Sequence, residues 1–147
     1  MNFIGFKTLY LRETKRFIKV FNQTLLAPMV NALLLLSVFS LAIGNRVSTV
    51  ENIDFSLFLS AGLIMMTVVQ NAFANTSSSL VMSKILGYVG DFITPPLSAK
   101  NIIFALTLAG ITRGFLTGIV VIIAVSFFVD ISVHNIGLAL FLSLIHI

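Results

Sequence analysis

The sequence predicts an all-α, polytopic helical membrane protein with an N-terminal interfacial amphipathic helix, three transmembrane helices and the start of a fourth. Three observations carry that prediction. An uncharged run from Val20 to Asn45 exceeds the roughly 20 residues that a helix needs to span a bilayer core of about 30 Å. It follows directly on a basic segment bearing Lys7, Arg12, Lys15, Arg16 and Lys19. Hydrophobic residues make up 58% of the chain and charged ones only 10%, with a mean hydropathy of +1.08, whereas soluble domains are about 25% charged. A soluble chain of 147 residues could not cover its surface with so few charges.

The elements follow in order. At about 100° per residue, residues 3–22 place Arg12, Lys15, Arg16 and Lys19 in one sector and Phe6, Leu9, Tyr10, Phe17, Val20 and Phe21 opposite, with Glu13 interrupting the apolar side. A basic amphipathic helix beside a span is expected in the headgroup plane, its cations meeting anionic lipid. The alternative is a helix packed on protein. Span 1 is expected over 25–44, with Pro28 near its start, where a missing backbone donor costs least. A polar loop through Asp54, bearing Arg46, closes it.

Span 2 is expected over 55–79. Its second half changes character, because Gln70, Asn71, Asn75 and Thr76 to Ser79 bring amides and hydroxyls that need partners in hydrocarbon. Asn71 and Asn75 lie four apart on one helical face and are expected to point into the protein, towards a polar pathway or into simple interhelical hydrogen bonds. The connection over 84–98 places Tyr88, Val89, Phe92 and Ile93 at helical spacing, and Pro95-Pro96 stops any helix there. Ser98 is placed to cap the next helix.

Span 3, over 101–129, contains Arg113, whose charge costs about 2.5 to 3.5 kcal/mol at a bilayer centre on insertion scales. Either it snorkels to the interface or it faces inward to an acid, carbonyls or water. Gly110, Gly114 and Gly118 recur every four residues, a pattern that lets helix backbones approach closely. After a polar turn that holds His134, residues 136–147 form an apolar stretch too short to cross, as if a fourth span were cut short.

Cations set the orientation. Lys7 to Lys19 precede span 1, and Lys84 and Lys100 flank the second connection, against Arg46 alone in the first loop and none in the last. The N-terminus and the 84–98 loop are therefore expected on the cytoplasmic side. The same rule explains the net charge of +4 without a nucleic-acid partner. The chain has no cysteine, and its two histidines stand apart, so no metal site is expected. There is no phosphate-binding glycine loop, nucleophile elbow or carboxylate pair, so catalysis within this chain is not expected.

Leu11-Arg12-Glu13, the opening Gln23-Thr24-Leu25-Leu26-Ala27-Pro28, the segment Gly87 to Ser98 and the helix Ala109-Gly110-Ile111-Thr112-Arg113-Gly114 together resemble the type-2 ABC exporter permeases, in their N-terminal half. That resemblance implies a bacterial inner-membrane subunit that pairs with a second permease, as a homodimer or heterodimer. It also implies a separate cytoplasmic ATPase that binds ATP and magnesium and drives export of a polysaccharide, lipid-linked or drug-like substrate, with no cofactor in this chain. Gly87 to Leu97 would be the coupling helix, with Tyr88, Asp91 and Phe92 as ATPase contacts and Pro95 and Pro96 fixing its angle. The rival readings are an ATP-independent transporter or channel, in which Arg113, Asn71 and Asn75 line a route, and a membrane scaffold without transport.

Overall fold

The computed structural model describes residues 3–44, 47, 49–131 and 135–146. Asn45, Arg46, His134 and Ile147, named in the sequence reading, lie outside the described residues. In chain order the elements are α1 (Phe3–Lys19), a π-helical turn (Asn22–Leu26), α2 (Ala27–Ile43), and a two-residue-strand hairpin of β1 (Thr49–Val50) and β2 (Ile53–Asp54). They continue with α3 (Phe55–Ile85), α4 (Gly90–Ile93), α5 (Ala99–Ser126) and α6 (Ile136–His146). Three helical stretches, Asn22–Ile43, Phe55–Ile85 and Ala99–Ser126, are long and apolar enough to cross a membrane. The protein is a polytopic helical membrane protein.

Two boundaries differ from the sequence reading. Helix α3 does not end at the serines but runs on to Ile85. The hydroxyls of Ser77, Ser78 and Ser83 donate to carbonyls one turn back, at Phe73, Asn75 and Leu80, so these side chains satisfy themselves on their own helix and do not end it. Helix α5 stops at Ser126, leaving Phe127 and Phe128 in a turn. At its other end Ser98 caps it, accepting from the Asn101 amide at 3.3 Å.

The first helix is the larger departure. Rather than leaving its apolar side to lipid, α1 packs against α5 and buries a stripe of Leu9, Glu13 and Phe17, spaced every four residues. Lys7, Arg12, Lys15 and Lys19 stay exposed, but Arg16 turns towards the bundle. Phe3, Ile4, Val20 and Phe21 remain open.

Between α1 and α2 the chain stays helical through one wide turn, in which the Ala27 amide donates to the Asn22 carbonyl five residues back. Pro28 explains the irregularity, since it has no N–H to offer the Thr24 carbonyl four residues earlier. The Thr24 hydroxyl donates to the Phe17 carbonyl at 2.9 Å, which fastens the turn to α1.

Two apolar clusters organise the packing. Ala32, Leu36, Leu63, Val121 and Val125 join α2, α3 and α5 at the hairpin end. At the opposite end Leu9, Phe92 and Ala105 join α1, α4 and α5, with Phe6, Tyr10, Leu97 and Ile102 around them.

Candidate functional site

The features that could carry function gather at the end of the bundle formed by α1, α4, the last turns of α3 and the first turns of α5. Along the seam between α3 and α5, a Cβ added at Gly110 would lie 3.0 Å from the Ala72 carbonyl oxygen, and one at Gly114 would lie 3.0 Å from that of Val68. A Cβ at Gly118 would reach within 2.6 Å of a Val68 methyl. The glycine face therefore sits directly on the α3 backbone. Above it the Thr76 hydroxyl reaches the Leu106 carbonyl at 3.5 Å.

Beside this seam lies a polar junction. Arg113 Nη2 donates to Asn71 Oδ1 at 3.3 Å, while Asn71 Nδ2 donates to the Thr67 carbonyl of its own helix at 3.0 Å. One turn along α3, Arg16 Nη2 donates to the Asn75 carbonyl at 2.9 Å and lies 3.4 Å from the Ser78 hydroxyl. The same nitrogen is 3.2 Å from Glu13 Oε2, an ion pair whose carboxylate is wholly buried. Tyr10 and Thr112 meet at 3.0 Å. Because the Thr112 hydroxyl proton already serves the Leu108 carbonyl at 2.8 Å, Tyr10 is the donor. Three helices are thus tied by bonds that cross between them.

With the hydrocarbon core taken to begin at the hairpin-end helix termini, counting along the helices gives the depth of this junction. At 1.5 Å per residue α3 is about 46 Å long and α5 about 42 Å, each exceeding a hydrocarbon core of about 30 Å. From their hairpin-end termini, Asn71 and Arg113 lie about 20 to 24 Å along, within roughly 6 to 10 Å of the other boundary. A guanidinium on its long stem covers most of that distance. Arg113 thus combines the two options open to it, an inward partner and a short reach to the interface.

At the tip, the 84–98 segment holds much less helix than its periodicity suggests. Beyond the end of α3 at Ile85 only Gly90–Ile93 is helical, preceded by a turn at Gly87 in the left-handed region, φ 77°. Tyr88 and Asp91 are exposed, and Pro95 and Pro96 follow the short helix. Phe92 corrects the sequence reading. Instead of facing outward as a contact residue, it is buried against Leu9 and Ala105, and the Arg12 guanidinium lies 4.9 Å from its ring centroid. A large apolar ring beside an amphipathic helix gains more by covering that helix than by facing water.

The family model for ABC-2 type transporters matches residues 4–147. This chain belongs to the ABC-2 type transporter family. It is similar to the inner membrane transport permease YadH of Escherichia coli K12, 31% identical over 132 residues that cover 90% of this chain and 52% of the relative. The matching permease of Shigella flexneri shows the same identity and coverage. The chain spans about half the length of the curated relatives it matches. No solved structure matches it.

Within this ABC-2 family member, sequence reasoning singled out Arg113, Asn71 and the glycines, and the structure brings them to one seam. It brings Arg16 there as well and leaves Arg12, Lys15 and Lys19 outside. Glu13, Tyr10, Thr112 and Thr117 were missed as partners. Glu13 carried a usable signal, since a lone acid on an apolar face with a cation three residues on suggests a buried pair. The other three carried none, because hydroxyls are unremarkable in spans.

Proposed function

We propose that this chain is part of the membrane-spanning subunit of an ATP-driven exporter of the inner membrane. The 84–98 loop faces the cytoplasm and docks a separate ATPase that binds ATP and magnesium. The observation that carries this reading is the split character of the loop tip. Tyr88 and Asp91 are presented outward, while Phe92 beside them is locked under Arg12 onto α1. A docking knob needs an exposed aromatic anchor and a rigid seat; the turn before α4 supplies the first with Tyr88 and α4 supplies the second with Phe92.

The seat also provides a route for motion. A push on α4 acts through Phe92 on α1, and α1 is bonded through Tyr10 to α5 and through Arg16 to α3. Closure of an ATPase pair beneath two such permeases would then reach the start of the spans through side-chain contacts as well as through the chain of the loop. A second permease subunit, identical or related, completes the assembly in this reading, and its cargo is a polysaccharide, lipid-linked or drug-like molecule.

Co-purification tests the docking. In the full-length permease expressed with its ATPase, Tyr88→Ala and Asp91→Arg should each lower the ATPase recovered by about fivefold or more, as expected when an interface anchor worth about 1 to 2 kcal/mol is lost. Unchanged recovery with both variants removes the docking assignment.

A further inference from the structure

The polar junction holds more hydrogen-bonding capacity than the chain itself uses. Arg16 Nε, Arg113 Nε and both side-chain polar atoms of Asn75 are buried without a hydrogen-bond partner, as are both carboxylate oxygens of Glu13, whose contact with Arg16 is an ion pair only, and Asn75 is fully enclosed. Buried donors are rarely left idle, because each costs about 1 to 3 kcal/mol when unsatisfied. Two of these three donor groups are guanidiniums. They hang from successive turns of one face of α3, Arg113 on the Asn71 amide and Arg16 on the Asn75 carbonyl.

The charges do not cancel either. Glu13 offsets Arg16 at 3.2 Å, but among the described residues no carboxylate pairs with Arg113. Two guanidiniums against one carboxylate leave the junction with one uncompensated positive charge. Arg16 is open along one side, with 36% of its side chain exposed, which gives a small anion a way in. The junction lies roughly 6 to 10 Å inside the hydrocarbon boundary, a distance the Arg113 stem largely covers, and basic side chains that reach the interface attract anionic headgroups.

We infer that Arg16, Arg113 and the Asn75 amide form a binding site for a phosphate group at the membrane boundary, held by charge-assisted hydrogen bonds between two guanidiniums. A phosphate oxygen placed between them would accept from both Nε atoms, and the Asn75 amide would supply a third, neutral donor. Glu13 keeps the site selective by holding Arg16 in place and limiting the net charge to what one monoanion satisfies. The same anion links α1, α3 and α5. The inference rests on the orphaned donors and stands whether or not the chain docks an ATPase.

Native mass spectrometry of the chain released from nanodiscs of phosphatidylcholine with a minority of phosphatidylglycerol tests it. The wild type should retain phosphatidylglycerol over phosphatidylcholine about tenfold more than Arg113→Gln does, the factor expected for losing one charge-assisted contact. Lys15→Gln, which removes an exposed cation from the same helix, should retain as much as the wild type. If Arg113→Gln does not fold, Asn75→Leu keeps both cations and should still lose about threefold, the loss of one neutral hydrogen bond. A second arm separates the sources: millimolar inorganic phosphate added in pure phosphatidylcholine should leave thermal stability unchanged if the ligand is a headgroup. A rise in stability seen in the wild type but not in Arg113→Gln would assign free phosphate to the same site. Equal retention by wild type, Arg113→Gln and Asn75→Leu, or an equal loss in Lys15→Gln, overturns the proposal.

Discussion

The two ends of this bundle are held by different forces. At the hairpin end, Ala32, Leu36, Leu63, Val121 and Val125 meet as an apolar cluster, with nothing more specific than shape between them. At the loop end, α1, α3 and α5 are joined by Tyr10 to Thr112, Arg16 to Asn75 and Arg113 to Asn71. In lipid the apolar end gains little from leaving its solvent, since acyl chains are as apolar as leucine, and close packing is its main source of stability. The loop end gains direction as well, because a hydrogen bond has only one good geometry. One end can slide or rotate at small cost, while the other fixes register.

Gly114 lies where the two ends meet, and its replacement should have the largest effect. In Gly114→Leu the new Cβ meets the Val68 carbonyl at 3.0 Å and Ala72 Cβ at 3.1 Å. A backbone oxygen cannot rotate away, so α3 and α5 must separate, costing about 3 kcal/mol, at the upper end of overpacking penalties. Thermal unfolding in detergent or nanodiscs measures this, and a change within about 0.5 kcal/mol, ordinary for a neutral site, would mean the seam is loose.

The second effect should fall on the loop end alone. Glu13→Gln removes the carboxylate that faces Arg16 and should destabilise by about 1 to 2 kcal/mol, less than a fully enclosed pair because Arg16 is one-third open to solvent. In a double-mutant cycle with Arg16→Gln the two losses should fail to add by about 1 kcal/mol. Hydrogen exchange should rise in α1 while the cluster around Leu36 keeps its protection. Equal loosening at both ends would dissolve the contrast between them.

The smallest effect sharpens the boundary. The Thr117 hydroxyl lies 2.9 Å from the Arg113 carbonyl and 3.5 Å from that of Thr24, the group that Pro28 leaves without an amide. Thr117→Val keeps the shape and removes the donor, and should cost about 0.6 kcal/mol, the average for such bonds within membranes. A loss above about 2 kcal/mol would make the π-helical turn part of the rigid end.

Much of this was legible in the residues. Hydropathy and length alone place spans over 25–44, 55–79 and 101–129, and the long apolar helices of the structure begin at Asn22, Phe55 and Ala99. Ser98 was recognisable as a cap, and the four-residue glycine repeat marked a close helix contact. The extent of α3 was not legible, because the hydroxyls from Thr76 to Ser79 suggested that the span ends there. Their bonds to carbonyls on the same helix hide that polarity, and nothing in the composition says which way a serine turns. Phe92 was misread for a related reason. Its spacing showed that the loop had two faces, but not which of them α1 would cover.

Local patterns determined what each segment is: how long its helix runs, whether it suits lipid, and where the cations lie along it. They could do so because hydropathy, capping and periodicity depend on neighbours within a few turns. Only the tertiary structure decided that Glu13 is buried, that Arg16 leaves its exposed sector to reach Asn75, and that Arg113 finds Asn71. Those outcomes depend on which helix lies beside which, and the cross-helix bonds join residues 42 to 102 positions apart along the chain. No short-range period records separations of that size, so the pairing of buried polar groups is settled only when the helices dock.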